Sequence, residues 1–313
     1  MAFLDPVSIV IIGFISQFIN GSLGMGFGAT SSSVFIAVGM SPVIVSASIH
    51  IGKVFAGMVS GASHHMFGNV DRELTLRLTS MGVVGGVSGA FFLAYLAADF
   101  IVPLIATILL VMGLRIFLRF YIQRSKAHPG PPWGYFSNKL LLPLGFFGGF
   151  VDAFGGAGWG PICMASLAGR TKKEIRVLIG SISMAEFFVS LAIVGAFIAV
   201  LGEGGYLLWI VVPLVIGGVI AAPIAAYATT RISPTRLGMA VGGFLVLINI
   251  ITLARYPPGI EGVIELSSIA VVVIVTTAVL FTISWKKWRL EKTREERRAA
   301  RRRFGRAFRN RKA

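Results

Sequence analysis

Apolar stretches long enough to cross a membrane recur along this chain, and that recurrence excludes most folds before any motif is considered. Residues 44–66, 78–96, 102–118, 177–201, 207–229, 237–253 and 264–285 each read as one crossing of a hydrocarbon layer roughly 30 Å thick. Backbone N–H and C=O groups in hydrocarbon must be satisfied within their own segment, so these crossings are expected to be helices. Composition agrees. The 313 residues are 55% hydrophobic and 13% charged, with a mean hydropathy of +0.82, whereas a soluble domain carries roughly a quarter charged residues.

The net charge of +16 would suit a nucleic-acid partner, but its distribution argues otherwise. Nearly half of the 29 Lys and Arg residues follow Trp285, and most of the others sit in short loops between apolar stretches. A nucleic-acid-binding domain would gather them on one face, so no nucleic-acid partner is expected. The tail, residues 286–313, mixes basic residues with Trp288, Leu290, Phe304 and Phe308, a pattern suited to anionic lipid headgroups. The lone Cys163 rules out an internal disulfide and reads as a small buried hydrophobe.

The chain also aligns with itself. At an offset of 132 residues, Phe14, Phe18, Gly24, Gly26 and Gly28 fall on Phe146, Phe150, Gly156, Gly158 and Gly160. Gly85, Gly86, Val87 and Tyr95 fall on Gly217, Gly218, Val219 and Tyr227. Between these blocks an offset of 133 places Ala47–Phe55 on Gly180–Phe188. Three blocks in order on nearly one offset point to a duplication.

Two further apolar segments, 7–38 and 140–169, are each about 30 residues long and broken by glycines. If 140–169 crossed once, Arg115, Arg119, Arg124, Lys126 and Lys139 would lie opposite Arg170, Lys172, Lys173 and Arg176. If it enters, turns and leaves on the same side, both groups are cytoplasmic, with Arg72, Arg77, Arg231, Arg236 and the tail. Only the second arrangement obeys the preference for cytoplasmic cations. The expected fold is therefore an all-α polytopic membrane protein of two inverted repeats. Each is a re-entrant broken-helix hairpin plus three transmembrane helices, followed by one extra C-terminal transmembrane helix. The repeats span 1–121 and 140–254, with a cytoplasmic linker at 122–139, the last helix at 264–285 and the basic cytoplasmic tail at 286–313. The N-terminus is expected outside and the C-terminus inside. Exposed small-residue faces could also build a homodimer.

The breaks read Asn20-Gly21-Ser22-Leu23-Gly24-Met25-Gly26-Phe27-Gly28 and Asp152-Ala153-Phe154-Gly155-Gly156-Ala157-Gly158-Trp159-Gly160-Pro161. Glycine permits the reversal, and a half-helix starting there presents free N–H groups to an anion. Paired broken helices near the midplane are a recurring plan of secondary transporters. Neither break carries a Walker Lys-Ser/Thr or a dinucleotide fingerprint, and no cofactor is implied. The glycines at 82, 85, 86, 217 and 218 are explained by close helix packing alone.

Three ionisable residues stand inside apolar segments: Lys53, Asp152 and Glu186. Each needs a partner, a wet cavity or neutralisation. Lys53 and Glu186 are equivalent in the two repeats, and Asp152 is the counterpart of Asn20. Lys53 is expected to neutralise an anionic substrate, with Asp152 or Glu186 binding a coupling proton. A static Lys53–Glu186 pair joining two helices is the competing reading. Expected substrate contacts are Asn20, Gly21, Gly24, Gly26, Gly28, Ser48, His50, Gly155, Gly156, Gly158, Trp159, Ser181 and Ser183. His50, Gly57, Ser60 and His64 share Lys53's helical stripe. No set of His, Cys or acidic residues with metal-ligand spacing accompanies them, so no metal is expected.

These residues resemble the TauE/SafE sulfite exporter family, also called the toluene-sulfonate uptake permeases. The resemblance covers roughly residues 6–253. It rests on the two glycine breaks, on Ala47–Phe55 with Gly180–Phe188, and especially on Ala185-Glu186-Phe187-Phe188. Ser60-Gly61-Ala62-Ser63-His64 followed by Gly68-Asn69-Val70-Asp71 adds to it. The resemblance implies proton-coupled movement of sulfite, thiosulfate, organosulfonates or small carboxylates across a prokaryotic cytoplasmic membrane, and no enzymatic activity. An anion channel that uses the same hairpins as a filter remains the alternative.

Overall fold

The computed structural model describes residues 5–96, 98–122, 138–167, 175–202, 208–228 and 234–254. The expected final helix at 264–285, the basic tail and nearly all of the linker lie outside these residues. Among those described there are helices and no strands. In chain order they are α1 (Pro6–Leu23), α2 (Phe27–Ala37), α3 (Pro42–Met66), α4 (Arg72–Tyr95), α5 (Ala98–Ile122) and α6 (Asn138–Asp152). A π-helical turn, Gly160–Met164, then runs into α7 (Ala165–Leu167), and α8 (Ile175–Leu201), α9 (Leu208–Ala228) and α10 (Pro234–Ala254) follow.

Local chemistry sets the boundaries. Asp5 caps α1 by accepting from the Ser8 amide (2.8 Å) and hydroxyl (3.0 Å), and Pro6 occupies the first turn, where its missing N–H costs nothing. Gly24 ends α1 in the left-handed region at φ 70°, its N–H reaching Asn20 O at 2.7 Å. Asp71 caps α4 through Leu74 N at 3.0 Å, which starts that helix six residues before its apolar stretch. Within the first broken segment, α1 has 18 residues and is long and apolar enough to cross by itself.

Six described helices are long and apolar enough to cross a membrane: α1, α3, α4, α8, and most of α5 and α10. Their outer faces are apolar. Val7, Ile11 and Ile15 form one exposed stripe on α1, and Val212, Ile216, Val219 and Ile220 another on α9. The interior, by contrast, buries Ser16, Gln17, Thr30, Ser31, Ser32, Ser33, Ser46, Ser48, His50, Lys53 and Asp152. Apolar surface outside and polar groups inside fit a lipid solvent. The chain is a multi-pass membrane protein.

Glycines set the close helix contacts and reveal their order. On α1 and α9, Gly13 lies against the Leu214 backbone, Gly21 against Ala225 and Gly217 against Val10 and Phe14. On α4 and α6, Gly145 lies against Leu78, Gly149 against Gly82, Gly85 against Phe146 and Gly89 against Phe150. Gly85–Phe146 and Gly217–Phe14 are the same contact at an offset of 132. On α3 and α8 the order reverses: Gly57 meets Phe187, Gly61 meets Met184 and His64 meets Gly180. It reverses again on α5 and α10, where Gly113 meets Leu245 and Phe120 meets Gly238.

Candidate functional site

The site begins at the second break. After Asp152 the chain turns through Gly155 (φ 135°) and Gly156 (φ 70°), conformations that a side chain would strain. The Asp152 carboxylate then closes the turn, its Oδ1 accepting from Gly158 N at 3.1 Å and Trp159 N at 3.0 Å. These N–H groups open the outgoing segment, and the sequence reserved them for a substrate anion. The structure gives them to the chain's own carboxylate, the ordinary chemistry of a helix cap.

Asp152 Oδ2 faces α3. It lies 2.6 Å from Lys53 Nζ and 3.4 Å from His50 Nε2. Lys53 also donates to Gly156 O at 3.3 Å and meets Glu186 Oε1 at 2.8 Å. All three ammonium donors are thereby used. Lys53 and Glu186 do touch, and Asp152 makes the arrangement a triad. His50 Nδ1 lies 2.8 Å from the Ser46 carbonyl, which can only accept, so Nδ1 carries the hydrogen. The Ser46 hydroxyl donates to Ala153 O at 2.6 Å, and the Ser32 hydroxyl donates to Gly155 O. Thus α2 and α3 both hold the second break.

The two breaks meet at their backbones. A methyl group added at Gly28 would overlap the Gly156 backbone, and one at Gly160 would come within 2.8 Å of Met25 Cβ. The first break is built differently from the second. Gly26 (φ 113°) starts α2 with no side-chain cap. Beside it opens a cleft with about 330 Å³ of atom-free space. Gln17, Asn20 and Phe27 form one wall, α3 adds Lys53, Ala56, Gly57 and Ser60, and α8 adds Ser183 and Glu186. Gln17 Oε1 is buried there without a hydrogen-bond partner.

Of the residues expected at the site, Asn20, Lys53, Ser183 and Glu186 line this cleft. Asp152, His50, Gly28, Gly155, Gly156 and Gly158 lie in the packed layer behind it. Gly24 and Gly26 form the turn, and Gly21 packs against Ala225 of α9. Ser48 is buried, with its hydroxyl unpartnered. Ser181 stands elsewhere, accepting from Asp71 N at 2.8 Å to hold the α3–α4 connection. Trp159 donates Nε1 to Ile182 O at 3.1 Å and packs on Gly82. The cleft also recruits Gln17 and Phe27, which the sequence reading passed over. Gln17 was detectable as an amide in an apolar span, and Phe27 as the counterpart of Trp159 at an offset of 132.

The chain matches the family described as "Sulfite exporter TauE/SafE" over residues 9–252. A Bacillus subtilis (strain 168) protein described as "Probable membrane transporter protein YtnM" is 38% identical over 274 residues, covering 87% of this chain and 91% of that relative. No solved structure matches.

Proposed function

This chain belongs to the sulfite exporter TauE/SafE family, and from that premise we propose that it is a proton-coupled secondary transporter of a small sulfur-containing or organic anion. Sulfite, thiosulfate and organosulfonates are the substrate class, and the prokaryotic cytoplasmic membrane is the location. The observation that carries the reading is Lys53. A cation buried among helices is costly unless it serves a partner or a passenger, and Lys53 forms part of the wall of a polar cleft beside the first break.

The order of helix contacts supports inverted repeats. The equivalent helices α3 and α8 run antiparallel, as do α5 and α10. An in-plane pseudo-twofold relates equivalent helices in that way, whereas an axis along the membrane normal would leave them parallel. Contacts from Thr75–Ser181 through Gly82–Val189 to Gly86–Ile193 set α4 parallel to α8, and α6 is parallel to α4. Because α6 and α8 share a direction, the chain has to return between them, which supports a re-entrant second hairpin. The enclosed space in the cleft suits a water or two, at roughly 10–15 Å³ of probe-occupied space each. A sulfonate therefore enters only when the repeats move apart, as alternating access requires.

The test is flux in proteoliposomes with 35S-labelled sulfite, thiosulfate and methanesulfonate. Saturable uptake, accelerated by the same unlabelled anion on the far side and lost in Lys53→Ala, is the expected result. Non-saturating conductance would replace the transporter with a channel.

A further inference from the structure

The buried cluster contains two carboxylates, Asp152 and Glu186, against one fixed cation, Lys53. An uncompensated charge in this interior would cost several kcal/mol. One carboxylate is in excess of the fixed cation, and the surroundings of each decide which can give way. With Nδ1–H committed to Ser46 O, His50 turns Nε2 toward Asp152, and this nitrogen has no hydrogen-bond partner.

The two carboxylates differ in freedom. Asp152 is fully buried and held through both oxygens by Lys53, Gly158 N and Trp159 N. Glu186 meets Lys53 through Oε1, keeps 20% of its side chain exposed and borders the cleft. Around the same cleft stand the uncapped start of α2 at Phe27, the amide of Asn20 and Gln17, whose unpartnered Oε1 is an acceptor that suits a carboxylic-acid proton rather than the anion. A buried helix start carries partial positive charge, so it favours an anion beside Lys53.

We infer that Glu186 is the exchangeable occupant of this anion seat: substrate displaces it from Lys53, and Glu186 leaves as the neutral acid. The inference rests on the anion-transport reading above and assigns its coupling step. Before exchange, Lys53 is shared by Asp152 and Glu186. Afterwards, the anion takes the place of the Glu186 charge, and a proton from the cleft water sits on the Glu186 carboxyl. No covalent bond changes, and one proton enters with each unit of substrate charge. Among the described residues, the groups facing Glu186 are few. Helix α3 supplies Lys53 and, one turn deeper, His50; α6 supplies Asp152. The π-helical turn supplies Cys163, which lies within electrostatic reach of both carboxylates. The charges of α4 lie in its first two turns, where Glu73 pairs with Arg77.

Calorimetry on the purified full chain, with methanesulfonate in buffers of different ionisation enthalpy, counts the protons. Methanesulfonate does not titrate in the working range, so any proton uptake belongs to the protein. Wild type is expected to take up about one proton per anion, with Kd rising about tenfold per pH unit once Glu186 is ionised. In Glu186→Gln the count falls to zero, and Kd becomes flat with pH near the wild-type low-pH value; Glu186→Asp restores the slope. If Glu186→Gln does not fold, infrared difference spectra of wild type serve instead, and a carboxylic-acid C=O band must grow on adding methanesulfonate. Uptake of a proton by Glu186→Gln, or wild-type binding with no proton and no new band, overturns the exchange while leaving anion transport intact. Failure of methanesulfonate, sulfite and thiosulfate all to bind wild type overturns the transport reading itself.

Discussion

The two glycine breaks align residue for residue, yet they perform different tasks. The second is sealed by its own carboxylate: Asp152 satisfies the outgoing N–H groups, fixes Lys53 and faces His50. The first has Asn20 at the corresponding position, an uncapped α2 and the cleft beside it. One carboxylate separates a scaffold from a seat. Of the two outgoing helix starts, one is filled internally by Asp152, and the other, at α2, is left without a side-chain cap.

The strongest challenge to this contrast is to move the carboxylate. Asp152→Asn leaves Glu186 as the one carboxylate on the buried Lys53 and weakens the cap on Gly158 and Trp159. A loss of about 3–5 kcal/mol is expected, read as a large fall in melting temperature in detergent. Adding Asn20→Asp should not restore it, because position 20 faces the cleft. That single change should instead leave the protein folded and remove anion binding by placing a negative charge in the seat. If the double variant recovers the wild-type melting temperature, the breaks are interchangeable and the contrast fails.

A smaller effect separates contact from conformation. Gly28→Ala would drive a methyl group into the Gly156 backbone, where neither break can retreat without shifting the other. A cost of about 2–3 kcal/mol is expected. Gly24→Ala meets nothing nearer than Ile179 Cγ1 at 3.8 Å but must hold φ 70°, which costs about 1 kcal/mol. Equal melting temperatures for the two variants would mean that the breaks do not bear on each other.

Hydropathy and the internal alignment reveal much of the architecture. The spans expected at 44–66 and 177–201 correspond to Pro42–Met66 and Ile175–Leu201, because long apolar runs leave few choices. Lys53, Asp152 and Glu186 stand out in the sequence for a related reason, since each is costly where it stands, and the structure brings the three together. Their roles are not legible. The alignment equates Asp152 with Asn20 and Ser183 with His50, but the cleft takes Asn20 and Ser183, while Asp152 and His50 lie behind it. Equivalence in sequence leaves exposure open, because exposure depends on which helices pack against each position. Ser181 shows the same limit, because its hydroxyl is claimed by Asp71 N, which is distant in sequence.

The smallest effect concerns the aromatic pair at the breaks. Trp159 and Phe27 are equivalent, but Trp159 is fully buried with its Nε1 bonded to Ile182 O, whereas Phe27 borders the cleft. Trp159→Phe removes that donor and part of the ring packed on Gly82, so about 1–2 kcal/mol of stability should be lost, seen as a lower melting temperature. Phe27→Leu shortens a buried apolar side chain, so about 1–2 kcal/mol of stability should be lost here as well. Its signature is selectivity, since a wider wall favours a two-carbon sulfonate over methanesulfonate in competition flux. An added methylene is worth about 1 kcal/mol at such a wall, and the preference should shift by roughly fivefold. A shift produced by Trp159→Phe instead would place the substrate at the second break and reverse the assignment of scaffold and seat.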